Sequence, residues 1–248
     1  MYGKDRKGVH YYMDHPISTQ TLEEMKTYYR ERANEYDEWF YHRGHYDRGS
    51  EVNASWFAEA NEVFAALADF QLTGEVIELA PGTGIWTERL VRTASTVTAV
   101  DASSEMIEIN RAKVSSSSVT YVQADLFSWQ PERVYDAVLF CFWISHVPLE
   151  RLDSFLGSVA AMLRPGGKVF FVDDQRTPLV SAAHPQPPIQ ESQLIKRVLI
   201  DGRTFEIIKN YYDPIDLAAR CIRAGFDITV SETSTYFLYG YGIRTRVR

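Results

Sequence analysis

Three acidic side chains stand at the ends of three short apolar runs: Glu78 within Val76-Ile77-Glu78-Leu79, Asp101 closing Val97-Thr98-Ala99-Val100, and Asp125 closing Val122-Gln123-Ala124. Between the first and second lies Ala80-Pro81-Gly82-Thr83-Gly84. Two glycines in this turn let backbone amides and the start of a following helix approach a ligand that a side chain would block. Asp101 follows Glu78 by 23 residues, the spacing at which a carboxylate can accept two hydrogen bonds from a ribose diol. Asp125, followed by Leu126 and Phe127, can take an adenine amino group and cover its ring. One acid at a strand end is ordinarily a cap or turn residue; three at successive strand ends describe a nucleoside site. In a dinucleotide fingerprint the third glycine lets helix and strand pack closely, but Thr87 stands there. Glu78 beside the loop would repel a pyrophosphate and attract an ammonium group. The expected ligand is a nucleoside with a cationic amino-acid tail.

From Glu75 to Asp174 the chain resembles the class I S-adenosylmethionine-dependent methyltransferases. Glu78 to Gly84 is similar to the family's first motif, Asp101 to its ribose acid, Asp125-Leu126 to its adenine turn, and Leu163-Arg164-Pro165-Gly166-Gly167 to the loop before its fifth strand. The resemblance implies S-adenosyl-L-methionine as cofactor. Glu78, Ala80, Gly82 and Gly84 would then hold the methionine portion, Asp101 and Ala102 the ribose, Met106, Asp125 and Leu126 the adenine, with Phe142 nearby and Tyr28 reaching the cofactor carboxylate. Ala80 departs from the family, in which many members carry glycine there, and only modest repositioning is expected.

Methyl transfer from a sulfonium needs mainly orientation, but a hydroxyl acceptor must lose its proton as the new bond forms. His146, in Phe142-Trp143-Ile144-Ser145-His146, is the expected base, and its alternative role is structural, capping a helix or packing against Trp143. With an unperturbed pKa of about 6.5 it would set the acid limb of the rate. The family's amide and exocyclic-amine modifiers carry Asn or Asp, two prolines and an aromatic at this place, and Phe140-Cys141-Phe142-Trp143 does not. The expected reaction is therefore O-methylation of a small acceptor such as a sugar or a natural-product phenol. Tyr36, His42, Arg43, His45 and Trp143, with His10 and His15 further upstream, are candidates for holding it. His42 and His45 lack the further fixed ligands that zinc requires. Asp173-Asp174 is similar to the acid pair of magnesium-dependent members, but the matching acid of the fourth strand is missing, so no metal is expected.

The elements that must position these groups follow from periodicity. Strands are expected at Glu75–Ala80, Thr96–Ala102, Val119–Leu126, Tyr135–Trp143 and Lys168–Asp174, and helices at Trp86–Thr93, Ser104–Val114 and Leu149–Leu163. This alternation predicts an α/β, Rossmann-like, mostly parallel seven-stranded sheet with helices on both faces, its loops aligned on the ligand edge. Phe226–Ser231 and Thr235–Tyr241 complete it, the last strand reversed. Residues 1–72 are read as an N-terminal arm and helical lid, with helices at Leu22–Phe40 and Asn53–Phe70. Residues 73–248 form the cofactor domain, with a β-hairpin insertion at about 190–212 turning at Asp201-Gly202.

The charge balance, 26 Lys+Arg against 33 Asp+Glu, is −7, which opposes nucleic-acid binding. The longest apolar run, Ala137–Ile144, is far short of the roughly 20 residues of a membrane span. Two cysteines, no disulfide framework and no apolar stretch near the amino terminus suggest a cytoplasmic protein, of open oligomeric state, a homodimer included. Two readings stand beside the methyltransferase: an NAD(P)-dependent oxidoreductase and a non-catalytic S-adenosylmethionine-binding module.

Overall fold

In the computed structural model, which describes residues 16–176 and 192–245, the apolar runs pair into one sheet. In chain order the strands are β1 Gly74–Leu79, β2 Ala94–Asp101, β3 Val119–Gln123, β4 Tyr135–Cys141, β5 Leu163–Asp174, β8 Phe226–Glu232 and β9 Phe237–Arg244. Between β5 and β8, the strands β6 Leu194–Val198 and β7 Thr204–Ile208 form a separate antiparallel hairpin. The seven-stranded sheet has the order β3-β2-β1-β4-β5-β9-β8. All pairings from β3 to β5 are parallel, and β9 alone is reversed, antiparallel to both β5 and β8. The expected architecture is the observed one.

Alternation along the strands divides the core between the two faces of the sheet. Ile77, Leu79, Val138 and Phe140 face one side, under Leu156 and Val159 of α6 (Leu152–Met162) and Leu217 of α7 (Pro214–Arg223). Val76, Val97, Ala99 and Leu139 face the other, under Trp56, Val63 and Leu67 of α3 (Ser50–Phe70) and Phe40 of α2 (Tyr36–Phe40). The cut drawn at residue 72 therefore divides the sequence between α3 and β1, which share one core. A third cluster joins Leu22, Met25 and Tyr28 of α1 (Thr19–Glu31) to Leu199, Ile207 and Ile208 of the hairpin.

Several boundaries differ from expectation for local reasons. The helix expected over residues 22–40 breaks at Arg32 into α1, a 3-10 turn and α2, which re-aims Tyr36 toward the sheet edge. Ser18 caps α1, its Oγ accepting from the Thr21 amide at 3.1 Å. The helix expected at residues 86–93 is one turn, α4 (Thr87–Leu90). By contrast α5 (Ser104–Val114) has the expected bounds, capped by Ser103 Oγ on the Met106 amide at 3.2 Å. No helix among the described residues is long and apolar enough to cross a membrane. His10 and His15 lie outside the described residues.

Candidate active site

The carboxyl ends of β1 to β4 open into a cavity whose floor is Ala80, Gly82, Asp101, Ala102 and Ser103. Met106, Asp125, Leu126 and Phe127 form one end, and Cys141, Phe142, Trp143 and His146 the other, roofed by Met25, Lys26, Tyr29 and Tyr36 of the lid. Ala80, Gly82, Asp101, Ala102, Met106, Asp125, Leu126, Phe142, Tyr36, Trp143 and His146 are thus brought together as the sequence suggested.

The glycine turn is shaped for close approach. Gly82 has φ +54°, and a Cβ placed on it would meet nothing within 4 Å, so the backbone itself borders open space. Its amide donates to Asp101 Oδ2 at 3.1 Å, while Asp101 Oδ1 accepts from the Ser103 amide at 2.9 Å. Each carboxylate oxygen keeps a second lone pair for a diol. Ala80 holds φ +51°, the left-handed region that L residues enter at a cost of roughly 1–2 kcal/mol. The chain therefore keeps the glycine geometry and bears its strain. Phe142 is left-handed too, at φ +53°, fixed by its amide on the Val172 carbonyl at 2.7 Å and by the rings of Trp39 and Phe237.

Six expected site residues stand elsewhere. Glu78 shares the inner face of Val76, is 1% exposed and accepts from Thr87 Oγ1 at 2.7 Å. It underlies the loop without reaching the cavity, and burial pushes its carboxyl up to about 8. Gly84 backs onto Asn110, which donates to Thr87 Oγ1 at 2.9 Å and accepts from the Tyr121 hydroxyl at 2.8 Å. Tyr28 packs against Phe205 of the hairpin; its neighbour Tyr29, about 100° further round the helix, faces the cavity instead. His42 stacks on Trp56 and bonds Asn53 at 2.8 Å. Arg43 lies over Tyr41, and His45 packs edge-on against Tyr46. Their loop supports α2 and α3 and does not line the cavity.

Phe127 stands beside Leu126 in the lining, where the sequence put the two together, whereas Met25, Lys26, Tyr29, Ser103 and Cys141 were not among the expected site residues. Met25 and Tyr29, four residues apart on one helical face, were the available signal for the first group. Lys26 Nζ bonds Asp125 Oδ2 at 2.7 Å, tying the lid to the expected adenine acid. Asp37 ties it to the glycine turn, accepting from Thr83 Oγ1 and pairing with Lys113, each at 2.5 Å. Tyr36 is steadied by the buried Arg32 guanidinium, which lies 5.2 to 5.9 Å from the rings of Tyr28, Tyr36, Trp39 and Tyr46.

His146 is 4% exposed. Its Nδ1 lies 2.6 Å from the Ile208 carbonyl and its Nε2 lies 2.6 Å from the Tyr29 hydroxyl. A carbonyl can only accept, so Nδ1 carries the hydrogen, and Nε2 is the lone pair that accepts from Tyr29. Burial, with the Lys209 charge, holds this imidazole down to about 3, well below the value of about 6.5 expected for a free side chain. Beside it, Lys209 Nζ donates to Ser145 Oγ at 3.0 Å, Asp173 Oδ1 at 2.9 Å and Asp174 Oδ2 at 2.7 Å. An ammonium group thus stands between the two acids compared with a magnesium pair. Among the described residues no group of three or more His, Cys, Asp or Glu is arranged to hold a metal ion.

A family model for the methyltransferase domain matches residues 76–167, the segment from the glycine turn to the start of β5. The structure of DhpI in complex with SAH superposes with a TM-score of 0.73 at 33% identity, covering 93% of this chain and 100% of that one. The chain belongs to the class I S-adenosylmethionine-dependent methyltransferases. Among curated relatives, the ubiquinone biosynthesis O-methyltransferase of Xanthomonas euvesicatoria pv. vesicatoria is 29% identical over 158 residues. That match spans 62% of either protein. The demethylmenaquinone methyltransferase of Tropheryma whipplei is 30% identical over 96 residues, 38% of this chain and 39% of that one. S-adenosylmethionine is accordingly the cofactor, and the dinucleotide alternative falls away. The cavity fits it: a carboxylate with spare lone pairs at β2, an open glycine turn at β1, and Met106, Leu126 and Phe127 as apolar walls for a base.

Proposed function

We infer that this enzyme methylates an oxygen of a small-molecule acceptor, with Tyr29 and His146 removing the acceptor's proton as a pair. The relatives named above include an O-methyltransferase, and DhpI has also been solved in a complex with SAM and HEP. The observation that carries the reading is the 2.6 Å contact between the Tyr29 hydroxyl and His146 Nε2, with Nδ1 fixed on Ile208. When bound, S-adenosylmethionine supplies a methyl group activated by a sulfonium. Tyr29 and His146 both line the cavity, and Nε2 is occupied by the Tyr29 hydroxyl, so an acceptor hydroxyl gives its proton to Tyr29 Oη while the Tyr29 proton passes to Nε2. An imidazole held near 3 is a weak base, but an oxygen gaining a third bond becomes far more acidic than imidazolium, so the transfer is downhill. Asp101 and the Gly82 turn hold the ribose and tail, and Asp125 with Leu126 holds the base. Glu78 braces the loop from beneath through Thr87. Buried, unpaired Cys141 and Cys221 suit a cytoplasmic setting.

The test is SAH release with an identified acceptor. Tyr29→Phe and His146→Gln should each lower kcat by roughly 100-fold or more, and the double variant should fall little further than either. Full turnover by either single variant would leave orientation alone as the mechanism.

A further inference from the structure

Asp173 and Asp174 are adjacent at the end of β5, but their hydrogen bonding is unequal. Asp173 is 1% exposed and fully engaged: Oδ2 accepts from the Ser145 amide at 2.9 Å, and Oδ1 from Lys209 Nζ at 2.9 Å and the Asp174 amide at 2.8 Å. Asp174 has a side chain only 10% exposed, and its Oδ2 is held by Lys209 at 2.7 Å. Its Oδ1 is shut away from solvent and has no hydrogen-bond partner. A buried carboxylate oxygen without a donor is costly, and in native proteins it points to a missing partner. Asp174 lies near enough to Tyr36 and His146, both in the cavity wall, for its charge to bear on them. A second buried polar atom without a partner, Trp143 Nε1, belongs to the same wall.

Resting on the methyl-transfer reading above, we propose that Asp174 Oδ1 binds the acceptor, accepting a hydrogen bond from a second donor group, O–H or N–H, beside the oxygen that is methylated. The acceptor class is thus a diol-like or amino-alcohol compound, and simple monohydric alcohols are discriminated against. The geometry divides the labour between the acids: Asp173 anchors Lys209 and the Ser145 turn, while Lys209 fixes one oxygen of Asp174 and leaves the other for ligand. A site built to hydrogen-bond a substrate O–H or N–H rejects the analogue lacking it, because the buried group is then left unpaired.

The experiment uses paired probes that keep one hydroxyl and exchange the second donor for methoxy: catechol against guaiacol, and ethanolamine against 2-methoxyethanol. Binding to the SAH-loaded enzyme is followed by calorimetry and transfer by SAH release. The wild type should favour the donor-bearing member of a pair by about tenfold or more. Asp174→Asn, which turns an amide donor toward the ligand while its oxygen faces Lys209, should bring that ratio to about one, with SAH affinity unchanged. A wild type that treats both members of every pair alike, or a folded Asp174→Asn enzyme that keeps the preference, overturns the proposal. The wild-type comparison decides it even if the variant does not fold. Discrimination in binding without any SAH release would instead sink the methyl-transfer reading and leave the Asp174 site standing.

Discussion

Lys26 Nζ of the first helix sits 2.7 Å from Asp125 Oδ2 just beyond β3, so the roof of the cavity is fastened to the acid proposed for the adenine. The pair is partly exposed, and such pairs contribute at most about 1 kcal/mol. Lys26→Ala should therefore speed SAH release by no more than several-fold. It should also reduce the dependence of that rate on salt, since screening acts mainly on exposed pairs. Stopped-flow displacement at two ionic strengths measures both, and a variant as salt-sensitive as the wild type would remove Lys26 from the fastening.

Asp101 should dominate cofactor affinity. Its removal takes away a charged hydrogen-bond acceptor for a diol and also frees the Gly82 and Ser103 amides it now holds. Asp101→Ala should weaken SAH binding by at least about tenfold, corresponding to roughly 1.5–3 kcal/mol, by calorimetry.

The pH profile of the rate should lack an acid limb near 6.5. With His146 held down to about 3, the imidazole stays neutral from pH 5 upward, and its protonation reduces kcat only in strong acid. A kcat profile falling through pH 6.5 in wild type, and flat in His146→Gln, would contradict the buried dyad.

Glu78 makes a separate prediction about stability. Its folded carboxyl is pushed up to about 8, above the unfolded value near 4.3, so the folded state binds more protons throughout that interval. Stability from this group is present in acid and is lost as pH rises toward 8. Glu78→Gln cannot ionise, so its stability relative to wild type should improve between pH 5 and pH 8 in the cofactor-free protein. Urea midpoints at the two pH values test it.

Gly84→Ala should destabilise by about 1–3 kcal/mol. Its φ is +93°, and a Cβ would lie 2.8 Å from the Asn110 amide, which is pinned by Thr87, the Gly82 carbonyl and Tyr121. Thermal unfolding reads the loss directly; an unchanged midpoint would mean the Asn110 brace yields freely.

What was legible in the sequence was whatever a short window encodes. The alternation of β1 to β5, the Asp-Gly hairpin and the acids at strand ends depend on neighbours in the chain, and Asp101 and Asp125 stand at the cavity as read. Glu78 was misplaced because strand parity, fixed by Val76 and Leu79, turns it inward under the loop. Tyr28 and Tyr29 were confused because adjacent helical positions differ by a third of a turn, and only the docking of α1 on Phe205 decides between them. The loop histidines looked chemical by composition, yet Trp56 and Asn53 absorb His42. Lys209 and Asp174 meet across 35 residues, a distance no local pattern spans.

The first helix and the hairpin share a small apolar cluster of their own, apart from the two layers on the sheet. The roof of the cavity is thereby mounted on a cassette made from two distant stretches of chain, while the floor is built on the sheet. Selection can remodel that cassette with little penalty to the sheet core, but its two parts must change in concert, because Met25 and Tyr28 are fitted to Leu199 and Ile207. Transplanting the roof between relatives accordingly requires moving both stretches; a graft of the hairpin alone would mismatch the first helix.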